Sequence, residues 1–212
     1  TNRDKIKYPK GKTWKHYIRD TRLEVACGEA PYITSRYDST TGDFISIEQR
    51  IGILDRKLRV INENVDKTGE WLKAAQTAFK NTYAFEWQGD SLLLAREAML
   101  ASFIENYTHK FGKEPLLKSI QFIAYIISWN VWQMDGLKGV IPNTCGHRTE
   151  VSVNLFGDTE TKYSFCEGCE KRNIKKHNGI YCLIKDWSNK DLKTRKTGRK
   201  IRFVDLLNGK AK

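Results

Sequence analysis

The amino-acid sequence predicts an α+β protein, with an N-terminal α-helical bundle followed by a small β-rich module. Apolar residues recur at helical spacing in four segments between residues 41 and 137. After Pro142 the pattern changes to the alternation that is typical of strands, as at Val151 and Val153. The predicted organisation is therefore a basic irregular arm over residues 1–40, a helical bundle over 41–137 and a β-rich module over 138–212.

The four helices of the bundle are each predicted from apolar residues on one helical face and from end signals. Ser46 followed by Gln49 has the spacing of a capping box, in which the two side chains close the first turn. Gly112 ends the third helix, and Pro115 suits the first turn of the fourth because proline has no N–H to leave unpaired there. The predicted segments are 47–61, 71–79, 90–111 and 115–135.

Four of the five cysteines and two of the four histidines lie between positions 145 and 182. Cys166 and Cys169 form a Cys-x-x-Cys pair, whose tight turn directs two thiolates at one point. Zinc needs four such ligands in a tetrahedron. Cys145 and Cys182 supply the other two in the preferred assignment, and His147 and His177 are the possible substitutes. The sequence therefore predicts a zinc ion in a site of the ribbon type.

Four protein ligands would leave no open position for water, so the predicted zinc is structural and not catalytic. The alternative is that these cysteines form disulfides or are buried thiols. Disulfides need an oxidising compartment, whereas the chain starts with charged residues and has no apolar signal sequence. The longest apolar run, 120–132, is too short to span a bilayer and is interrupted by polar residues. A cytoplasmic location is expected.

The formal net charge of +12 is concentrated at the two ends of the chain. Residues 1–19 hold seven Lys and Arg against one acid, and residues 171–212 hold fourteen against three, so the body between them is mildly acidic. Clustered cations favour polyanion binding because each neutralised phosphate releases counterions, although a solvated tail has the same composition. DNA is the expected partner. The candidate contact residues are Arg172, Lys175, Lys176, Lys193, Arg195, Lys196, Arg199 and Lys200.

Several stretches resemble a domain that accompanies bacterial and phage DNA methyltransferases labelled restriction endonuclease subunit M. They are GEAPYI and SRYD (28–33 and 35–38), RIGILDRKLR (50–59), EWQGD (86–90), ISWNVWQMDGL (127–137) and HNGIYC (177–182). The resemblance implies a restriction–modification or phage context, with DNA as partner and with methyl transfer performed by a separate domain. This chain has neither the glycine-rich turn for adenosylmethionine nor an Asp-Pro-Pro-Tyr or Asn-Pro-Pro-Tyr tetrapeptide for a flipped base.

The sequence thus favours an accessory or target-recognition DNA-binding module that has no catalysis of its own. One alternative is a zinc-supported endonuclease of the HNH type, with His177 as the catalytic base, although no second histidine follows His177. Another is a phage protein that inhibits a host defence system through a protein interface. For an accessory module, a methyltransferase or nuclease subunit would be a further partner. For an inhibitor, the partner would be the host defence protein.

Overall fold

In a computed structural model, the described residues are 6–38, 40–190 and 197–208. The chain divides into two compact units, Thr1–Trp132 and Gln133–Lys212. Helices and strands are both well represented, which confirms the predicted α+β class. No helix in the described ranges has both the length and the apolar character that crossing a membrane would require.

The first unit contains all four predicted helices and a short additional one. The helices are α1 (Trp14–Arg19), α2 (Ile53–Asn64), α3 (Thr68–Lys80), α4 (Gly89–Phe111) and α5 (Leu117–Asn130). The first predicted helix begins later than expected, because Ile47–Gln49 forms a separate 3-10 turn. The start of α2 is held by Asp55, whose Oδ2 accepts the N–H groups of Gly52 at 3.2 Å and Ser35 at 2.7 Å. This contact satisfies a donor that the first turn of a helix leaves unpaired.

A three-stranded sheet distinguishes this unit from an all-helical bundle. Its strands are β1 (Arg22–Val25), β2 (Thr82–Glu86) and β3 (Val131–Gln133), in the order β1-β2-β3. Strands β1 and β2 are parallel, with Arg22 opposite Thr82. The sequence predicted an irregular arm at β1, a link between the second and third helices at β2, and the end of the fourth helix at β3. It missed them because strands of three to five residues, one of them buried along most of its length, carry no clear alternation.

The core of the first unit is built around Trp71 on α3, which is fully buried. The rings of Phe103, Tyr107 and Phe111 on α4 lie 5.4–6.0 Å from the Trp71 ring. The Trp71 Nε1–H donates to Asn62 Oδ1 on α2 at 2.7 Å. One side chain therefore joins three helices, through aromatic packing on one side and through a satisfied polar atom on the other.

In its described residues, the second unit contains two separate two-stranded antiparallel sheets, a short α-helix and a 3-10 helix. The first sheet pairs β4 (Arg148–Val153) with β5 (Thr159–Ser164), and the second pairs β6 (Leu183–Lys190) with β7 (Thr197–Arg202). Helix α6 (Glu167–Glu170) lies between the two sheets in the chain, and a 3-10 helix, Phe203–Asn208, follows β7. The segment between α6 and β6 has no regular secondary structure.

Candidate metal centre

Four side chains of the second unit converge on one point: Cys145, Cys166, Cys169 and His177. Their sulfur and nitrogen atoms all lie within 4.8 Å of one another. Cys145 Sγ lies 3.2 Å from Cys166 Sγ and 3.5 Å from Cys169 Sγ. His177 Nδ1 lies 3.2 Å, 3.6 Å and 3.7 Å from the sulfurs of Cys145, Cys166 and Cys169.

These separations match the edges of a metal-centred tetrahedron. With Zn–S bonds of about 2.3 Å and Zn–N bonds of about 2.0 Å, a tetrahedron has S···S edges near ~3.8 Å and S···N edges near ~3.5 Å. The five separations given above are within about 0.6 Å of these values. Three thiols and an imidazole nitrogen at such spacing could hold a metal ion. With four protein ligands, the site would be closed to water and to substrate.

The Cys-x-x-Cys turn is held by backbone hydrogen bonds around Cys166. The Cys169 N–H donates to the Cys166 carbonyl at 2.9 Å, which closes the turn and places both sulfurs on one side. The Gly168 N–H donates to the Lys176 carbonyl at 3.0 Å, and this bond brings His177 against the turn. The Asn178 N–H points at Cys166 Sγ at 3.4 Å. Donors aimed at a ligand sulfur orient it and favour its thiolate form.

Asn178 also fixes the position of Cys145, which lies 33 residues earlier in the chain. Its side chain accepts the Gly146 N–H at 3.2 Å and donates to the Gly146 carbonyl at 2.8 Å. The adjacent backbone is anchored by Tyr181, whose hydroxyl accepts the His177 N–H at 2.8 Å and donates to the Ile174 carbonyl at 3.1 Å. Cys145 and His177 are thus held by contacts that do not depend on a bound ion.

The ionisation of Cys145 and of Cys166 is shifted by their surroundings. Burial and the neighbouring thiols of Cys166 and Cys169 raise the pKa of Cys145 to about 12. At Cys166 burial opposes ionisation, but the N–H of Asn178 and the thiol of Cys145 outweigh it and lower the pKa to about 6. The protein alone therefore stabilises one thiolate in this space and disfavours a second. A bound cation would supply the missing positive charge, as metal sites with several thiolates require.

The fourth ligand is where the structure departs from the preferred assignment. His177, named as a substitute, completes the group, and Cys182 does not belong to it. Cys182 is a fully buried thiol whose pKa is raised to about 12 by burial. Its N–H and carbonyl pair with Gly139 and Phe203, so the residue forms part of the backbone network that leads into β6. The other substitute, His147, is exposed and its ring packs against Phe165 at 4.7 Å.

Two glycines allow the loops to approach closely, and sequence reasoning did not single them out. A Cβ on Gly168 would lie 2.5 Å from the backbone nitrogen of His177 and 2.7 Å from its Nδ1. A Cβ on Gly179 would lie 2.8 Å from Cys145 Cβ. All three distances are shorter than a carbon atom allows to a non-bonded neighbour. The glycine of the Cys-x-x-Cys motif and the glycine of HNGIYC are therefore required by packing around the cluster.

Gly168→Ala is expected to weaken metal binding by roughly 10- to 100-fold, the range seen when groups that orient ligands are disturbed. The new methyl group would push His177 away from the three sulfurs. Gly146→Ala is the matched control, because a Cβ at Gly146 would meet nothing within 4 Å and the position lies equally close to a ligand. Competition with a chromophoric zinc chelator measures both affinities, and equal affinities would contradict this account of Gly168.

The predicted DNA contacts fall into three groups. Arg172, Lys176 and Lys200 are exposed, although Lys176 pairs with Glu167 at 2.6 Å. Lys175 and Arg199 are partly buried. The remaining three, Lys193, Arg195 and Lys196, lie outside the described residues.

Sequence reasoning did not predict the cation–aromatic pairs beside these residues. Lys185 Nζ lies 5.2 Å from the centre of the Trp187 ring, and the Arg202 guanidinium lies 4.8 Å from that of Tyr181. In the β6–β7 pairing, Lys185 is opposite Lys200, so these two share a face of the sheet. Gly198 leaves the space that Trp187 and Lys185 occupy, since a Cβ there would lie 3.0 Å from the indole.

Comparison with known proteins does not add a relative. No family model, no curated protein and no solved structure matches this chain. The function is therefore inferred from the chemistry of the cluster and of the surface around it.

Proposed function

We propose that the cluster of Cys145, Cys166, Cys169 and His177 binds a structural zinc ion and that the unit stabilised in this way binds DNA. The convergence of three thiols and an imidazole at tetrahedral spacing is the observation that carries the proposal. Thiolate and imidazole ligands in a closed tetrahedron suit zinc better than magnesium or calcium, which prefer oxygen ligands.

A structural role for the zinc follows from how little else holds the second unit together. Gln133–Lys212 contains two two-stranded sheets, and such isolated pairs are marginally stable in water. Among the described residues of this unit few hydrophobic side chains are buried; they are Met134, Val140, Cys166, Cys182, Ile184 and Val204. Domains with such a small core gain their stability from metals or cross-links. Zinc would tie together the segments around positions 145, 166–169 and 177, which are distant in sequence.

DNA as the partner is supported by the charge and the aromatic residues of this unit. Residues 171–212 hold fourteen Lys and Arg against three acids. The face of the β6–β7 sheet that carries the exposed Lys200 also carries the partly buried indole of Trp187, which packs against the buried Lys185. Cations interleaved with aromatic rings are typical of surfaces that bind a phosphate backbone and pack against sugars or bases. The resemblance to methyltransferase-associated domains supports the same partner and a restriction–modification or phage context.

The proposal is tested by reversing the charge of Lys175, Lys176, Arg195 and Lys196 together. We expect the affinity for a 30-base-pair duplex to fall by roughly 10²- to 10³-fold at low salt, because about four phosphate contacts are lost. The slope of log K against log salt should flatten by about three to four units for the same reason. Fluorescence anisotropy at several salt concentrations measures both quantities.

The matched control changes the net charge by the same amount on the first unit. It reverses four exposed lysines there, namely Lys67, Lys73, Lys113 and Lys118. If the control weakened binding as much as the test variant, the effect would be one of net charge and the assignment of the DNA surface would be wrong. Unchanged binding in the test variant would also contradict it.

The nuclease alternative loses its proposed catalytic residue in this arrangement. His177 directs Nδ1 at the three sulfurs, and an imidazole that ligates zinc cannot take a proton at that nitrogen. We therefore expect no cleavage of duplex DNA in the presence of magnesium. Cleavage that His177→Ala abolished while zinc was retained would favour the nuclease over the structural role.

A further inference from the structure

The β4–β5 hairpin is amphipathic, with one polar face and one uncharged face. The strands pair in register from Arg148 opposite Ser164 to Val153 opposite Thr159. Directly paired residues lie on the same face of a sheet, and the faces alternate along each strand. The polar face carries Glu150, Ser152, Glu160, Lys162 and Ser164. The uncharged face carries Thr149, Val151, Val153, Thr159, Thr161 and Tyr163.

The uncharged face continues at both ends of the hairpin. At the base, the His147 ring packs against Phe165 at 4.7 Å, and both residues keep the alternation of the face. At the tip, Leu155 and Phe156 follow Val153, and Asn154 Oδ1 accepts the Phe156 and Asp158 N–H groups at 2.9 Å to close the turn. The uncharged face, its two flanking residues at the base and the exposed tip residues Leu155 and Phe156 together make up one uncharged strip, whose paired part is about 20 Å long for six residues.

Exposure along this strip is unusual for large apolar residues. Val151, Val153 and Tyr163 are 64%, 67% and 69% exposed, Phe165 is 61% exposed, and the tip residues Leu155 and Phe156 are 102% and 91% exposed. The three aromatic side chains carry roughly 150–250 Å² each, and together with the smaller valines and leucine the six exposed residues present on the order of 700 Å². A contiguous apolar patch of more than ~600 Å² is larger than most monomers expose, and it marks an interaction surface.

We infer that this strip is a self-association surface and that its occupant is the same strip of a second copy. It has no Lys, Arg, Asp or Glu, so it offers nothing to a phosphate backbone, and two identical faces meet without charge repulsion. Self-complementarity of this kind is what a two-fold symmetric interface requires. Two copies packed face to face would bury up to ~1,400 Å², within the roughly 1,200–2,000 Å² of stable interfaces. The inference does not rest on DNA binding.

The test compares the same substitution on the two faces of one strand. Val153→Lys places a charge on the uncharged face, whereas Ser152→Lys places it on the polar face opposite Glu160. We expect the wild-type chain to pass from monomer to dimer between about 1 and 100 µM, the range of weak to moderate interfaces. Val153→Lys should raise the dimer Kd at least ~100-fold, and Ser152→Lys should change it less than about threefold. Sedimentation velocity over this concentration range measures the dimer Kd of the wild type and of both variants. The zinc content of each variant checks that it is folded.

A chain that stays monomeric up to about 200 µM overturns the inference, since an interface of this size would be seen there. A dimer that Val153→Lys and Ser152→Lys weaken equally overturns it as well, because the contact would then lie elsewhere. A monomer that binds phosphatidylcholine vesicles, and that loses this binding in Val153→Lys, would assign the strip to a lipid surface. Dimerisation sensitive only to Val153→Lys supports the inference.

Discussion

Cys166→Ser is expected to abolish stoichiometric zinc binding and to unfold the second unit, residues 133–212, while the first unit stays folded. Structural zinc contributes on the order of 10 kcal/mol or more to the folding of small metal-dependent modules. The second unit has few buried apolar side chains to compensate for that loss. The core around Trp71 lies wholly in the first unit and shares no residue with the cluster. Mass spectrometry measures the loss of zinc, and hydrogen exchange resolved along the chain measures the unfolding of the second unit. Cys169→Ser should behave in the same way.

A set of single substitutions distinguishes the ligands that the structure brings together from the ones that the sequence favoured. His177→Ala should lose zinc, because Nδ1 of His177 is the fourth atom of the cluster. Cys182→Ala should keep one zinc per chain, because that thiol is buried outside the cluster. His147→Ala should also keep it. Loss of zinc in Cys182→Ala together with retention in His177→Ala would restore the four-cysteine site. Retained zinc and unchanged exchange protection in Cys166→Ser would refute the site itself.

Lys57→Met is expected to change the stability of the first unit in a pH-dependent way. Lys57 is 1% exposed, and its Nζ donates to the carbonyls of Asp20 at 2.7 Å and Asn81 at 2.9 Å, where α1 and α3 end. Methionine has a similar length but no donor, so these carbonyls would lose a partner. We expect the free energy of unfolding to fall by about 2 kcal/mol at pH 9, where the wild-type amine is neutral.

Burial lowers the pKa of Lys57 to about 7 in the folded chain, against about 10.4 in an unfolded one. Between these values the unfolded state binds more protons, so wild-type stability should rise with pH from 7 to 10, by on the order of 1 kcal/mol per unit. The rise should be absent from Lys57→Met. Urea unfolding of α2 and α3, monitored by hydrogen exchange at pH 6.5, 8 and 9.5, measures the difference in stability between the wild type and Lys57→Met. Lys73→Met, at an exposed position on α3, is the control. Parallel pH profiles in wild type and Lys57→Met would contradict the assignment.

The helices of the first unit could be predicted because their signal is local. The apolar residues of α2, such as Leu54, Leu58 and Ile61, recur within one element and are buried together. Helical hydrogen bonds also join residues only four positions apart. The apolar pattern and the hydrogen bonds of a helix therefore both lie within a short stretch of sequence. The parallel strands β1 and β2 were missed because their pairing joins residues 60 positions apart, as Arg22 and Thr82 show. No local pattern in the sequence encodes that pairing.

The candidate metal site also has a part that local sequence predicts and a part that depends on tertiary contacts. The sequence by itself determined Cys166 and Cys169, because two cysteines separated by two residues on a turn have only a few possible geometries. It also placed Cys145 and His177 among the candidates, but it favoured Cys182 over His177 as the fourth ligand. Tertiary structure decided that choice, through the bond from the Gly168 N–H to Lys176 and the Asn178 contact with Gly146. These bonds bring His177 to the sulfurs and leave Cys182 in the backbone pairing that leads into β6. The choice of ligand depends on distances in space, which spacing along the chain does not reveal.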